Sequence, residues 1–227
     1  MLSWFKTWLA RRSLDHAESL RLQRQWKAAQ EAFQKAIDRA SGPAAHGKEG
    51  ARQVSGVAYL GLGKVCLRLH NRKGETARAI EHFDAACRMQ PASWEPFYYR
   101  GCGEARQGDY DKAEESFSAA LAKNATEARI YLQRGHARFK AGRLDGALED
   151  YLAAQRFGQL PERECLALAA LRMQRGEHAE AEALLRALVA QGCAEVHPTQ
   201  VFIPAAECQP TIHRDRRASR RENRKLS

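Results

Sequence analysis

Four cysteine and histidine side chains near the end of the chain are of the types that bind zinc. Cys193, His197, Cys208 and His213 are spaced as C-x3-H-x10-C-x4-H, and two thiolates with two imidazoles can hold Zn²⁺ tetrahedrally. However, the ten residues between His197 and Cys208 include two prolines, which is an unusual spacing for a zinc finger, and no regular pattern orders the segment. We therefore predict no metal site and no cofactor, with zinc as the minor alternative.

Catalytic motifs are missing from the sequence. It contains no glycine-rich phosphate-binding loop, no nucleophile elbow, no H-E-x-x-H and no paired-carboxylate motif in a pocket-forming context. His136 and Cys102 are a single imidazole and a single thiol, and such isolated side chains more often pack than react. The sequence predicts a protein that is not an enzyme and has no small-molecule substrate.

A basic run ends the sequence. Residues 211–227 carry seven Arg and Lys, from Arg214 to Lys225, and two acidic residues, so their net charge is 7 − 2 = +5. Such a run is typical of a disordered tail, here 193–227. It also suits nucleic-acid binding or a nuclear-localisation signal, and R-R-A-S ending at Ser219 suits a basic-directed kinase. The formal charge of +10 for the whole chain favours acidic partners of some kind.

The cysteines and the apolar segments indicate the compartment. Six cysteines occur singly, with no C-x-x-C, as is typical of reduced, structural thiols. No apolar stretch approaches the roughly 18 residues of a membrane-spanning helix, and the opening residues MLSWFKTWLARR are too short and too broken by Lys6 for a secretory signal. We predict a cytoplasmic protein, with the nucleus as the alternative.

The elements that must position any binding residues repeat with a fixed period. The positions of Gly74, Gly108, Gly142 and Gly176 differ by a constant 34, and such a period is the signature of a repeat architecture. Apolar and small residues recur at intervals of three and four, which predicts helices, and almost nothing alternates as in a strand. Each unit therefore reads as two helices joined by a turn at the glycine.

Within each unit, small and large residues occupy fixed positions. After the glycine come an alanine, then a large side chain four residues later, then a third apolar residue three further on, all on one helix face. The alanines are Ala79, Ala113, Ala147 and Ala181, and the large residues are Phe83, Phe117, Tyr151 and Leu185. In the preceding helix, Gly63, Gly101 and Gly135 each follow an aromatic residue by four. This pattern predicts that helices interlock, large residue against small.

These positions resemble the tetratricopeptide repeat, a unit of about 34 residues with the pattern W-x-x-L-G-x-x-Y … A-x-x-x-F … P. The segments YLGLGKVC and AIEHFDAACRMQP, residues 59–66 and 79–91, match it closely. The resemblance implies an all-α, right-handed superhelical solenoid of antiparallel helix pairs. We expect five units, at about 10–43, 56–92, 94–127, 128–161 and 162–192, within an array of 10–192, with a loop at 39–55 and extra residues at 70–73.

The resemblance also implies which residues line the concave groove. Family positions 2, 5, 9, 12 and 13 of the first helices point inward, which in this sequence gives Lys64, Arg68, Tyr98, Cys102, Arg106, Arg129, Leu132, His136, Phe139 and Lys140. Arg68, Arg106 and Lys140 share one slot on successive helices. We expect a non-catalytic adaptor whose groove binds an acidic peptide segment of a partner. A nucleic-acid-associated protein that uses the tail and the groove is the alternative.

Two other sets of residues have competing interpretations. Trp4, Phe5 and Trp8 form the apolar face of a basic helix at residues 1–12, which suits either a cap that extends the first repeat helix or docking on an anionic membrane surface. Arg100 and Arg134 stand where the family has leucine. We expect both to be structural, either snorkelling or pairing with acids such as Glu114 or Glu149, rather than ligand-binding.

Overall fold

Ten α-helices make up the described part of the chain, with no strand among them. The computed structural model describes residues 2–41, 49–69, 74–158 and 160–190. The helices are α1 (Leu2–Leu22), α2 (Trp26–Ala40), α3 (Glu49–Arg68), α4 (Glu75–Met89), α5 (Glu95–Gln107), α6 (Tyr110–Leu121), α7 (Ala128–Lys140), α8 (Leu144–Phe157), α9 (Glu162–Gln174) and α10 (His178–Ala190). They pack as five consecutive antiparallel pairs, as the period of the glycines predicted.

The turns within the pairs explain the spacing of the glycines. Gly108, Gly142 and Gly176 have φ of 87°, 78° and 79°, in the left-handed region where a side chain is unfavourable. At Gly108 the N–H of the next residue, Asp109, donates to the carbonyl of Glu104 at 3.0 Å, which closes the helix end. The first pair makes the same turn with Arg24, at φ 61°, so the backbone geometry is kept where the glycine is missing.

The predicted interlock of large and small residues is present inside the pairs. The rings of Phe83 and Phe117 lie against Gly63 and Gly101, and a Cβ at position 63 would lie only 2.3 Å from Cε1 of Phe83. Ala79 and Ala113, one turn before these phenylalanines, are fully buried. The small residues therefore let the two helices of a pair approach closely, and the aromatic ring fills the space between them.

Successive pairs stack with their first helices on one side. Besides its pair partner and its neighbour in sequence, α3 contacts both α1 and α5, and α5 also contacts α7. Helices on the inner side of a curved stack come closer together than those on the outer side. The first helices of the pairs therefore lie along the concave face, where the sequence predicted the groove.

A buried ionic network ties the third and fourth pairs together. Asp150 on α8 has only 2% of its surface exposed. Nη2 of Arg134 lies 2.7 Å from its Oδ1, and Nη1 of Arg138 lies 3.0 Å from its Oδ2. Arg138 also binds Glu114 on α6 at 2.8 Å. Three helices are thus held together by charge-assisted hydrogen bonds.

The predicted loop between the first two pairs is longer than the structure allows. We predicted a loop at 39–55, but α2 runs to Ala40 and α3 begins at Glu49. The reason is burial. Val54 packs in a small core with Ala10 and Ala40, so the first turns of α3 bury an apolar face against α1 and α2. The other boundaries of the units stay predictions.

Several sequence predictions concern the N-terminal helix or residues outside the described part of the chain. Helix α1 is continuous from Leu2 to Leu22, and Trp8 on it is 41% exposed; the side chains of Trp4 and Phe5 lie outside the described part. Residues 70–73, Cys193, His197, Cys208, His213, Ser219 and the basic run also lie outside it. No described helix has the length and apolar character needed to cross a bilayer.

Candidate functional site

A pocket of about 290 Å³ lies on the face formed by the first helices. Six of the ten residues that the sequence assigned to the groove line it: Lys64, Arg68, Tyr98, Cys102, Arg106 and Arg129. They come from α3, α5 and α7. Four further residues complete the lining: Arg21, Trp26, Leu67 and Tyr99. Five of the ten side chains are cations and none is a carboxylate.

Helical spacing brings these side chains to one wall. Lys64 and Arg68 are one turn apart on α3, and Tyr98, Cys102 and Arg106 follow each other at intervals of four along α5. Residues four apart lie on the same face of a helix. Since α3 and α5 are in direct contact, the two rows lie side by side and form one wall of the pocket.

Lys64 is a partly desolvated cation. Its Nζ lies 4.4 Å from the centre of the Tyr99 ring, a cation–π contact, and the structure gives it no ion pair within the described residues. Burial lowers the pKa of Lys64, and the more distant carboxylates of Glu95 and Glu18 only partly oppose that effect. Among the described residues, Lys64 therefore lines the pocket without a carboxylate partner of its own.

The arginines of the pocket differ in how they are held. Arg106 donates from Nη1 to the carbonyl oxygen of Leu67 at 2.8 Å, which links α5 to the last turn of α3. Arg68 is exposed and has neither a hydrogen bond nor an ion pair to any described residue. By contrast, Arg21 and Arg129 each bind a carboxylate of their own segment, Glu18 at 2.7 Å and Glu127 at 2.8 Å respectively.

Ring contacts connect the lining of the pocket to the core. Tyr98 packs edge-on against Tyr99, with ring centres 5.1 Å apart, and lies 5.9 Å from the ring of Phe117 in the core. Burial raises the pKa of the Cys102 thiol to about 11, and the neighbouring hydroxyl of Tyr98 only partly opposes that effect. The thiol is therefore protonated at neutral pH, which argues against a nucleophilic role.

The other four predicted residues lie beyond this pocket, on the fourth pair. Leu132 and Phe139 pack against the core formed with α8 and α9. His136 is half-buried, and its pKa is lowered by that burial and then by the nearby cations Arg163 and Lys140. Lys140 is exposed. Arg68 and Arg106 thus share the pocket, whereas the third residue of their slot does not line it.

Sequence reasoning missed Arg21, Trp26, Leu67 and Tyr99. Arg21 had a usable signal, because it occupies in the first helix the slot that Leu67 occupies in α3 and Phe139 in α7. The predicted groove residues all come from the second, third and fourth pairs, so the first pair is not represented among them. Trp26 had no such signal, since it stands at the start of a second helix, α2.

Arg100 and Arg134 point away from the pocket and into the array. Arg100 binds Asp84 at 3.1 Å and donates to the hydroxyl of Ser116 at 2.9 Å, and Arg134 binds Asp150. Their structural role was expected, but the partners are different acids from Glu114 and Glu149. No cluster of three or more His, Cys, Asp or Glu side chains that could hold a metal is found within the ranges that the structure covers.

These features define a helical repeat array with a concave face built from its first helices. A family model described as tetratricopeptide repeat matches residues 14–93 and 98–161, and the chain belongs to this family. No curated protein matches the sequence.

Solved structures share the fold at low sequence identity. A MamA protein aligns with a TM-score of 0.62 and 19% identity over 78% of this chain and 88% of that one. MamA from Desulfovibrio magneticus RS-1 gives 0.59 and 18% over 85% and 98%. A tetratricopeptide repeat protein from Parabacteroides merdae gives 0.64 and 16% over 82% and 68%. At such identities the likeness establishes the fold.

Proposed function

We propose that this protein is a non-catalytic adaptor whose concave face binds an acidic peptide segment of a partner protein. Tetratricopeptide repeat proteins mediate protein–protein interactions, and their fold is typically a scaffold. The observation that carries the acidic specificity is the lining of the pocket, where five cations and no carboxylate surround about 290 Å³. We place the interaction in the cytoplasm, with the nucleus as the alternative, because the cysteines occur singly.

The chemistry of the lining suits a peptide better than a single small anion. The guanidinium of Arg68 can bind a carboxylate in a bidentate manner, while Trp26, Leu67 and Tyr99 offer apolar surface beside it. Cations and aromatic rings in alternation match a segment in which acidic and apolar residues are mixed. Aromatic residues and arginine are also the side chains that most often dominate binding at interfaces.

The test is selection of peptides from a random display library on the immobilised protein. We expect the selected peptides to be enriched in Asp and Glu. The double variant Arg68→Glu, Arg106→Glu should bind them about 10- to 100-fold more weakly, because each reversal replaces attraction with repulsion.

The matched control is Lys35→Glu, Lys123→Glu, which reverses two charges at exposed sites on α2 and just after α6. It has the same net charge as the double variant and should bind like the wild type. Selection of peptides without acidic enrichment, or equal weakening in both double variants, would overturn the proposal.

The nucleic-acid alternative uses the same cations together with the run from Arg214 to Lys225. Salt separates the two. Binding to phosphodiester backbones weakens steeply with added salt and is largely independent of sequence, whereas a peptide held partly by aromatic contacts should keep its sequence preference. Binding of single-stranded oligonucleotides that is tighter than binding of the selected peptides would favour the alternative.

A further inference from the structure

The cations of the pocket divide into neutralised and unneutralised groups. Arg21 and Arg129 have carboxylate partners within the chain. Lys64, Arg68 and Arg106 have no ion pair to any described residue, although all three line the same pocket. Three positive charges on two adjacent helices are therefore left without an anion from the part of the protein that the structure describes.

The three unneutralised cations line the same pocket from two helices. Lys64 and Arg68 are one turn apart on α3. The guanidinium of Arg106 is fixed by its 2.8 Å hydrogen bond to the carbonyl of Leu67, the residue directly before Arg68. Arg106 on α5 therefore lies beside the backbone at the end of α3, next to Arg68. Its Nη1 donates to the carbonyl of Leu67, and its other nitrogens can donate to a ligand.

A single carboxylate would compensate only one of these three charges. A phosphate monoester carries a charge of about −1.5 to −2 at neutral pH and offers three acceptor oxygens. Arginine forks suit such an anion, and lysine acts on it as a compact point charge. Burial of Lys64 increases the benefit, because a desolvated cation gains more from a nearby anion than a hydrated one does.

We propose that the pocket between α3 and α5 binds the phosphoryl group of a phosphorylated residue in the partner's acidic segment, through Lys64, Arg68 and Arg106. This inference rests on the proposed function and specifies its ligand. Tyr99 and Trp26 border the pocket and would contact the residues on either side of the phosphorylated one. Phosphorylation of the partner then controls its binding to the adaptor.

The test uses three degenerate peptide libraries that are identical except for a central phosphoserine, glutamate or serine. The fraction of each library retained by the immobilised protein is measured. We expect the phosphoserine library to be retained about tenfold or more above the glutamate library. Its retention should rise from pH 5 to pH 7 as the second phosphate proton, with a pKa of about 6, is lost. Retention of the glutamate library should not rise in this way.

Two variants with a matched control locate the effect. Lys64→Gln and Arg68→Gln should each bring the ratio of phosphoserine to glutamate retention close to one. Arg129→Gln removes a cation of the same pocket that already has a carboxylate partner, and should change the ratio much less. Unchanged helical circular dichroism is required of all three variants.

The outcomes separate this inference from the proposed function. Equal retention of the phosphoserine and glutamate libraries, with both above serine, overturns the phosphoryl site and leaves the acidic-peptide groove standing. Equal retention of all three libraries overturns both. A phosphoserine preference that survives Lys64→Gln and Arg68→Gln places the phosphoryl group elsewhere and also contradicts the proposal. The proposal is also contradicted if an oligonucleotide displaces the phosphoserine library and its own binding does not change between pH 5 and pH 7, because the pocket then binds phosphodiesters.

Discussion

The first helices α5 and α7 have a packed face and an open face that use arginine differently. On the packed face of α7, Arg134 is largely buried and binds the buried carboxylate of Asp150. On the open face of α5, Arg106 borders a pocket without carboxylates and makes one hydrogen bond to a backbone carbonyl. The position on the helix, rather than the residue type, therefore decides whether an arginine stabilises the array or is available to a ligand.

The comparison has a simple energetic basis. A cation on the packed face is taken out of water and needs its anion permanently, so that removing the anion destabilises the fold. Arg68 and Arg106 on the open face are exposed and keep much of their hydration until a ligand arrives. Changes on the packed face should therefore affect unfolding, and changes on the open face should affect binding.

The largest effect is expected on the packed face. Asp150→Ala leaves two largely buried guanidinium groups without their shared carboxylate, and should lower the free energy of unfolding by about 3–5 kcal/mol. Chemical denaturation followed by circular dichroism measures this. Arg106→Ala on the open face should change the unfolding free energy by less than about 1 kcal/mol. Similar losses in the two variants would break the distinction between the faces.

Adjacent residues of α3 give a closer test. Gly63→Ala places a Cβ 2.3 Å from Phe83 and should cost about 1–3 kcal/mol, because the packed ring cannot move without disturbing the core. Lys64→Ala, the next residue, should leave thermal unfolding nearly unchanged and weaken binding of the selected peptides. A stable Gly63→Ala variant would show that the pairs are less tightly interlocked than the structure indicates.

The turn at Arg24 lies outside both faces and should respond in the opposite direction. A left-handed backbone costs a residue with a side chain about 1–2 kcal/mol, and glycine avoids this at some entropic cost. Arg24→Gly should therefore stabilise the protein by about 0.5–1 kcal/mol, with no change in peptide affinity. Gln25→Gly, at φ −82°, is the control and should not stabilise it. A destabilised Arg24→Gly variant would mean that the side chain, not the turn, matters there.

The smallest effect concerns His136 on the open face of α7. Its pKa in the folded state is lowered, chiefly by burial, so the unfolded chain binds the proton more readily. Its contribution to stability is complete above its unfolded pKa of about 6.5 and is lost as the pH falls through the folded value. His136→Gln should make the melting temperature less dependent on pH between 7 and 5. An identical pH profile in the variant would show that His136 does not contribute.

Much of the fold could be predicted from the sequence, because the constant spacing of the glycines is visible directly. The glycines at 108, 142 and 176 reveal the turns, and the alanines and aromatics reveal the packed faces. The start of α3 could not be predicted in the same way. Its helix depends on burial of Val54 against Ala10 and Ala40, a contact between distant segments that no local pattern shows.

The candidate site could be predicted in part. Family positions identified Lys64, Arg68, Tyr98, Cys102, Arg106 and Arg129, all of which line one pocket. They also placed Lys140 in the same slot as Arg106, although Lys140 does not line the pocket. Equivalent slots do not reveal where along the array a pocket lies. The partner of Arg134 was missed for a related reason: Asp150 stands on the following helix, and only the packing of α7 on α8 brings the two together.

Arginine-specific chemical labelling, read residue by residue by mass spectrometry, tests the central claim most directly. In the free protein we expect Arg68 to react with phenylglyoxal and Arg134 and Arg138 to be protected by Asp150. Addition of a selected acidic peptide should protect Arg68 and leave the labelling of the other two unchanged. If Arg68 stays equally reactive while the peptide is bound, the open face of the first helices is not the binding surface, and the account is contradicted.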